Sequence, residues 1–233
     1  MADSKTETGL RPRLFIKKLK MKAILIYSGG MDSTVLLYKY RQDIEIALTF
    51  TYGSRQDSAQ LACARRNCER LGIRHIEIPL EFMGRYFRSS MFAGQEDIPH
   101  GSYDENNMKS TVVPFRNGIM LSIAVGLAES SGLDTVLIAN HGGDHAVYPD
   151  CRPEFIAAID AAAQAGTFEG VRIVSPFCNI TKREIAVIGK ELNVPFEDTY
   201  SCYEGRGKHC GECATCIERK EALKGFDPTE YEK

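Results

Sequence analysis

The stretch Ala23-Ile24-Leu25-Ile26-Tyr27-Ser28-Gly29-Gly30-Met31-Asp32-Ser33 decides the fold. Ala23 to Tyr27 is short and nearly all apolar, as a strand is when both faces of a parallel sheet are covered. The turn that follows runs straight into a helix expected from Thr34 to Tyr40. Two glycines and two serines between a strand and a helix describe a pocket for a phosphate chain. Glycine lets the backbone approach an anion, hydroxyls donate hydrogen bonds, and a helix start offers unpaired N–H groups. The order Gly-x4-Gly-Lys-Ser/Thr, which wraps β- and γ-phosphates around a lysine, is missing. Chemistry other than simple γ-phosphoryl transfer is therefore expected. A plain tight turn is the competing explanation, and the flanking strand, the helix and Asp32 weigh against it.

Outward from this turn, strand and helix alternate. Ile44 to Tyr52 reads as a second strand, Asp57 to Leu71 as a helix stopped by Gly72, and Arg74 to Ile78 as a third strand ended by Pro79. Such repetition is the signature of βαβ units and an α/β fold built on a parallel sheet with helices on both faces. Residues 81–110 break the rhythm. They read as a partly helical insertion, a lid or a subunit contact, with exposed aromatics at Tyr86, Phe87, Phe92 and Tyr103. A helix follows from Asn117 to Ser131, a fourth strand from Asp134 to Asn140, and a helix from Pro153 to Gln164 with proline in its first turn. Val171 to Ser175 is the fifth strand. Thr181-Lys182-Arg183-Glu184 is a capping box, so a helix should start there and run to about Glu191. From Tyr200 the chain is loop, cysteine cluster and a last helix near Cys213 to Leu223. The organisation is thus an N-terminal extension (1–20), an α/β domain (21–199) with the insertion near 81–110, and a C-terminal metal-binding segment (200–233).

The chain has 233 residues, enough to bury roughly 70% of its unfolded surface without disulfides. With 29 basic and 31 acidic residues the net charge is −2, which supplies no global field for a polyanion. A stable nucleic-acid partner is not expected. No window of about 18 apolar residues suggests a membrane span. Residues 1–20 carry basic charge, but Leu14-Phe15-Ile16 is too short for the apolar segment of a secretory signal. The expectation is a flexible tail, or an upstream start codon with Met21 as the working one, in a cytoplasmic protein.

Eight cysteines are unevenly placed. Cys63, Cys68, Cys151 and Cys178 are scattered, whereas Cys202, Cys210, Cys213 and Cys216 follow the spacing C-x7-C-x2-C-x2-C. Two-residue gaps turn successive thiolates toward one ion, and Gly211 eases the turn. Four soft ligands suit tetrahedral Zn²⁺, with an iron–sulfur cluster as the rival. Four thiolates leave no open position for water, so the ion is expected to be structural. His209 beside them reads as a solvent-facing loop histidine. Lys208, Arg206, Arg219 and Lys220 surround the cluster with positive charge, interleaved with Glu204, Glu212, Glu218 and Glu221.

Together these motifs resemble a known group. The Ser28–Ser33 loop is similar to the pyrophosphate-binding loop of the N-type ATP pyrophosphatases, which also include GMP synthetases, asparagine synthetases and tRNA-thiolating enzymes. Three further stretches resemble one branch of that group, the 7-cyano-7-deazaguanine synthase (QueC) family. They are Pro114-Phe115-Arg116-Asn117-Gly118, Tyr148-Pro149-Asp150-Cys151-Arg152-Pro153-Glu154, and the four terminal cysteines with Arg219 behind them. The resemblance implies a Rossmann-like fold, a structural zinc, a homodimer, and a ligase that takes 7-carboxy-7-deazaguanine, ammonia and ATP. On this reading Ser28, Gly29, Gly30, Met31, Asp32 and Ser33 hold the nucleotide. Asp32 orients a Mg²⁺-bound phosphate and Arg116 lies over the triphosphate. Asp150 is allotted to the guanine edge and Arg152 to a charged group, or the reverse, with Tyr148 beside them. A salt bridge between neighbouring loop residues is the alternative for that pair. The segment Asn140-His141-Gly142-Gly143-Asp144-His145-Ala146-Val147 departs from the family pattern of an acidic residue and Ser-Gly before Tyr-Pro. Asp144 is the candidate for the acidic role, and His145 for a proton shuttle in a dehydration step. The departure also leaves open a related enzyme with a different amine. A tRNA-modifying ligase and a zinc module without activity are the other readings.

Overall fold

A computed structural model describes residues 21–101 and 108–233 of the chain. The expected extension at 1–20 and the aromatic Tyr103 lie outside the described residues. Strand β1 (Ala23–Ile26) leads through the Ser-Gly-Gly turn into helix α1 (Met31–Lys39). Strand β2 (Ile44–Thr51), helix α2 (Asp57–Leu71), strand β3 (Arg74–Pro79) and a short helix α3 (Glu81–Tyr86) follow. After a 3-10 turn at Lys109–Thr111 come helix α4 (Arg116–Ser130) and strand β4 (Thr135–Leu137). Helix α5 (Pro153–Gly166), strand β5 (Arg172–Val174), helix α6 (Lys182–Glu191) and helix α7 (Ala214–Ala222) complete the chain.

The five strands form one sheet in the order β3-β2-β1-β4-β5, and every pairing is parallel. This is a Rossmann-like α/β arrangement. Its order reverses between β1 and β4, and open α/β sheets gather ligands at such a switch point, beyond the carboxyl ends of the strands. The all-apolar character of β1 has its reason in the two cores. Ala23, Leu25 and Tyr27 pack on one face with α1, α6 and part of α2, while Ile24 packs on the other with α4 and the insertion.

α1 begins at Met31, three residues earlier than the sequence suggests. Gly30 caps it in an extended conformation, so Asp32 and Ser33 belong to the first helical turn, where the helix dipole favours an acid. Thr181 caps α6 in a capping box with Glu184, as its spacing predicts. In the insertion, Tyr86 is exposed as expected. Phe92 is not: it is fully buried, its ring edge-on to Tyr52, because the loop folds back and bridges Ser54. Among the described residues, one stretch, Lys109–Ser130, is long and apolar enough in composition to cross a bilayer, contrary to the sequence expectation. Half of its most apolar window is buried in the interior, as the core helix α4 requires.

Candidate active site and metal centre

The turn after β1 is built around two glycines, of which Gly29 tolerates no side chain. Gly29 has φ +81°, and a Cβ there would lie 2.2 Å from the carbonyl oxygen of Gln60 in α2. Its own carbonyl accepts from the Tyr200 amide (3.1 Å), which ties the turn to the C-terminal segment. The Ser28 and Ser33 hydroxyls lie 3.0 Å apart across the turn, and the Ser28 hydroxyl accepts from the Gly30 amide. The Thr34 hydroxyl donates to the Gly30 carbonyl (2.8 Å). Hydroxyls and the amides of the α1 start thus converge on one end of a cleft.

That cleft is walled by the carboxyl ends of β1, β2 and β4 and by the C-terminal segment. It is lined by Ser28, Gly30, Met31, Asp32 and Ser33, by Arg116 at the start of α4, by Asp144 and Tyr148, and by Lys182, Tyr203 and Glu218. Arg116 donates to the Tyr52 hydroxyl (3.3 Å). The residue ahead of it, Phe115, has a left-handed backbone (φ 52°), which turns the chain sharply at the α4 start. Tyr148 shares hydrogen bonds with the hydroxyls of Tyr203 (2.9 Å) and Thr111 (3.0 Å).

Charged groups concentrate beneath the phosphate loop. Lys182 lies 3.3 Å from Asp32 and 2.8 Å from Glu218. Burial works against the charge on Lys182, but Asp32, Glu218 and Asp144 outweigh it and hold the ammonium protonated. Burial pushes the Asp144 carboxyl up from its ordinary range, against the opposing pull of His141 and Lys182. His141 is itself buried, 3.9 Å from Asp32 and 3.7 Å from Asp144, and its Nδ1 accepts from the Gly143 amide. One oxygen of Asp32, Oδ1, is buried without a hydrogen-bond partner. An orphaned carboxylate oxygen beside a phosphate loop fits a ligand position for Mg²⁺, which typically takes one or two carboxylates plus phosphate oxygens.

The other sequence-predicted residues fall around this cleft rather than in it. The Asp150 carboxylate is buried and accepts from the Asn117 amide (2.8 Å) at the start of α4. Arg152 donates through Nε to the His145 carbonyl (2.9 Å). The His145 ring has Nε2 3.7 Å from the Cys178 sulfur. Sequence reasoning passed over Lys182 and Glu218 as site residues. Lys182 reads as part of the capping box that it sits in, and Glu218 as part of a run of alternating charge. The available signal was a lysine in the first turn of a helix, where the dipole disfavours it.

The C-terminal cysteines converge as their spacing predicts. Cys202, Cys210, Cys213 and Cys216 are all buried, and their sulfurs lie within 4.8 Å of one another. A tetrahedral ion at a Zn–S length of about 2.3 Å requires sulfurs about 3.8 Å apart. The Cys210–Cys216 and Cys202–Cys213 pairs, at 3.9 and 4.0 Å, fit that size. Amides of Cys210, Glu212 and Cys213 point at sulfurs, as they do toward thiolates. Gly211 turns between two ligands at φ +84°. Two expectations for the neighbourhood need correction. His209 is buried rather than solvent-facing: its Nε2 accepts from the Ser201 amide and its ring packs on Tyr200 and Tyr231. Arg219 is fully buried and gives its donors to Thr199, Ser201, Thr229 and the Phe196 carbonyl, so it contributes structure rather than surface charge.

Comparison with known proteins points one way. A sequence model of the family described as "Queuosine biosynthesis protein QueC" matches residues 22–227. The 7-cyano-7-deazaguanine synthase of Porphyromonas gingivalis is 54% identical over 213 residues, covering 90% of this chain and 97% of that protein. The protein of the same description from Desulfotalea psychrophila is 49% identical, covering 90% and 98%. Among solved structures, the NMN synthetase of Francisella tularensis superposes with a TM-score of 0.50 at 16% identity, over 91% of this chain and 80% of that one. This last likeness concerns the fold alone.

Proposed function

This chain belongs to the QueC family of queuosine biosynthesis proteins, and from that premise we infer the chemistry of its cleft. It is an ATP-dependent ligase of the 7-cyano-7-deazaguanine synthase class. The observation that carries the reading is the Ser28–Ser33 loop opening, at the start of α1, into a cleft shared with Arg116, Asp144 and Tyr148.

A carboxylate oxygen is a poor leaving group. In the reaction, an oxygen of 7-carboxy-7-deazaguanine takes the α-phosphoryl group of ATP and pyrophosphate departs. Ammonia displaces AMP to form the amide, and a second activation with dehydration gives the nitrile. The amide of Met31 and the hydroxyls of Ser28 and Ser33 hold the pyrophosphate portion, and Arg116 covers the triphosphate from the opposite wall. Asp32, with its orphaned oxygen, would hold Mg²⁺, and the ion would supply charge to neutralise the developing phosphate charge. Tyr148 and Asp144 face the base. Asp150 and Arg152 are assigned to the paired N–H donors and the carboxyl group of the base, or the reverse. Both already have protein partners, so recognition by them entails a partner exchange. For the proton moved in dehydration the sequence nominates His145, while His141 is the imidazole that borders Asp32. Zn²⁺ on the four thiolates holds the C-terminal segment together and takes no part in bond making.

We also propose a homodimer in the cytoplasm, with no nucleic-acid or membrane partner. Phe82 and Tyr86 of α3 are exposed aromatics in the segment expected to be a lid or a subunit contact. Four buried free cysteines outside the cluster suit a reducing compartment.

The test is product analysis with 7-carboxy-7-deazaguanine, ammonium and Mg-ATP. AMP, pyrophosphate and the nitrile are expected. Release of ADP and phosphate would remove the adenylation step, and turnover independent of ammonia would remove the nitrile step.

A further inference from the structure

Lys182 stands against the ordinary electrostatics of a helix. It is the first residue of α6, where the dipole and unpaired N–H groups disfavour a cation. Its side chain is also only 11% exposed. A buried ammonium at the positive end of a helix persists only if opposite charge compensates it. The two ion pairs that compensate it come from distant parts of the chain. One is with Asp32 of the phosphate loop, and the other is with Glu218 of α7. All three side chains line the cleft. Glu218 follows the metal ligand Cys216 by two residues, on the helix that Cys213 caps. Helix α7 therefore links the thiolate cluster to Glu218, and ion pairs link Glu218 through Lys182 to the phosphate loop.

We propose that Lys182 meets the α-phosphoryl group of ATP, and that Glu218 is the positioning residue that holds it there and couples it to the zinc knuckle. This rests on the ligase reading above. In adenylation, a carboxylate oxygen of the substrate bonds to the α-phosphorus as the bond from that phosphorus to the bridging oxygen breaks. The electron pair of the broken bond leaves with pyrophosphate. No proton moves, and negative charge grows on the oxygens around the α-phosphorus. A cation fixed there beforehand, out of water, stabilises that charge without reorganisation. Asp32 alone does not fix it in this way. With Glu218 gone, the ammonium keeps its ion pair with Asp32, and settling there draws it off the α-phosphoryl group while neutralising the carboxylate assigned to Mg²⁺.

The experiment is a double-mutant cycle of Glu218→Gln and Lys182→Met in the full-length, zinc-loaded protein. Pyrophosphate release gives kcat and the KM for ATP, with zinc content and melting temperature as controls. Glu218→Gln should retain its zinc, lose at least about tenfold in kcat, and change the KM for ATP by less than about threefold. In the Lys182→Met background the same change should have almost no further effect on kcat, because the residue through which it acts is gone. An equal loss in both backgrounds, or parent-like turnover of Glu218→Gln, overturns the inference. Should the glutamine variant lose its zinc or fold, Glu218→Asp replaces it. That variant keeps the charge on a shorter arm, and a kcat loss that persists in the Lys182→Met background overturns the inference equally. A parent protein that releases no pyrophosphate would instead overturn the ligase reading.

Discussion

Single residues carry the phosphate loop. Gly29 combines a left-handed backbone with a close approach to α2, where the nearest atoms to a Cβ are the Gln60 carbonyl oxygen at 2.2 Å and the Ala64 amide nitrogen at 2.9 Å. Both are backbone atoms of a helix and have little freedom to move. Gly29→Ala is therefore expected to cost about 3 kcal/mol, from left-handed strain and overpacking together. Urea unfolding should register that loss, and turnover should fall with it because the loop is displaced. Asp150 makes the contrasting case. Its residue type suggests base recognition, yet its carboxylate satisfies an otherwise unpaired amide at the start of α4. Asp150→Ala should lower stability by about 1 kcal/mol through the lost cap. Binding of the deazaguanine base, measured on the folded variant, then tells how far the same carboxylate also serves the ligand. The limits of sequence reading are visible in this pair. A glycine between a strand and a helix announces a backbone demand, whereas an aspartate in a loop does not announce which of several donors it meets.

At the scale of elements, boundaries follow from local chemistry wherever a cap or a breaker marks them. α2 runs from Asp57 to Leu71, as read from the sequence, because Gly72 takes the left-handed position that ends it. The α1 start is less legible, since a glycine serves equally as the last residue of a turn or as a helix cap. The burial of Phe92 is illegible for another reason: a long insertion has no periodicity to say which way its aromatics face. Contacts between elements are hidden in the same way. Asp198, on the 3-10 turn Phe196–Asp198, accepts from Arg66 (3.2 Å) and from Arg70, while its carbonyl accepts from Asn67, which joins α2 to the segment leading to Tyr200. Partial burial alone would raise the Asp198 pKa, but Arg70 and Arg66 outweigh it and hold the carboxyl below its usual range. A depressed carboxyl contributes stability above its unfolded pKa of about 3.9 and loses it as pH falls through the folded value. Asp198→Asn should thus destabilise the protein at pH 7 by about 0.5–1 kcal/mol, since both arginines are partly exposed and screened. The difference from the parent should be constant between pH 7 and 5 and shrink below about pH 4. Denaturant titrations at several pH values check the sign and the window.

For the whole molecule, the parallel sheet is the part that the sequence makes plainest, because three apolar runs separated by helical patterns admit few other arrangements. The position of the C-terminal segment is the part that it hides. Spacing identifies the four cysteines as one cluster, but says nothing of where that cluster docks. It docks against the carboxyl end of the sheet: Ser201, Tyr203, Thr215 and Glu218, all within two residues of a ligand, line the same cleft as the phosphate loop. Gln56, the residue ahead of α2, donates to the carbonyls of Ser201 and Cys202, and the Tyr200 amide donates to Gly29, so the cluster and the sheet share one wall. Both core clusters reach the segment as well, since Cys202, Cys213 and Cys216 belong to the one that includes residues of β2 and α4, and Leu223 to the one that includes residues of α1. An ion that holds such a segment should stabilise the whole fold rather than a detachable lobe. Withdrawal of zinc by a strong chelator is accordingly expected to lower the melting temperature by about 10 °C, the shift for roughly 3 kcal/mol in a chain of this size. The transition should stay single, and ATP affinity should fall in step with zinc content. A separate low-temperature transition with the main melting point unchanged would show instead that the cluster folds independently of the sheet.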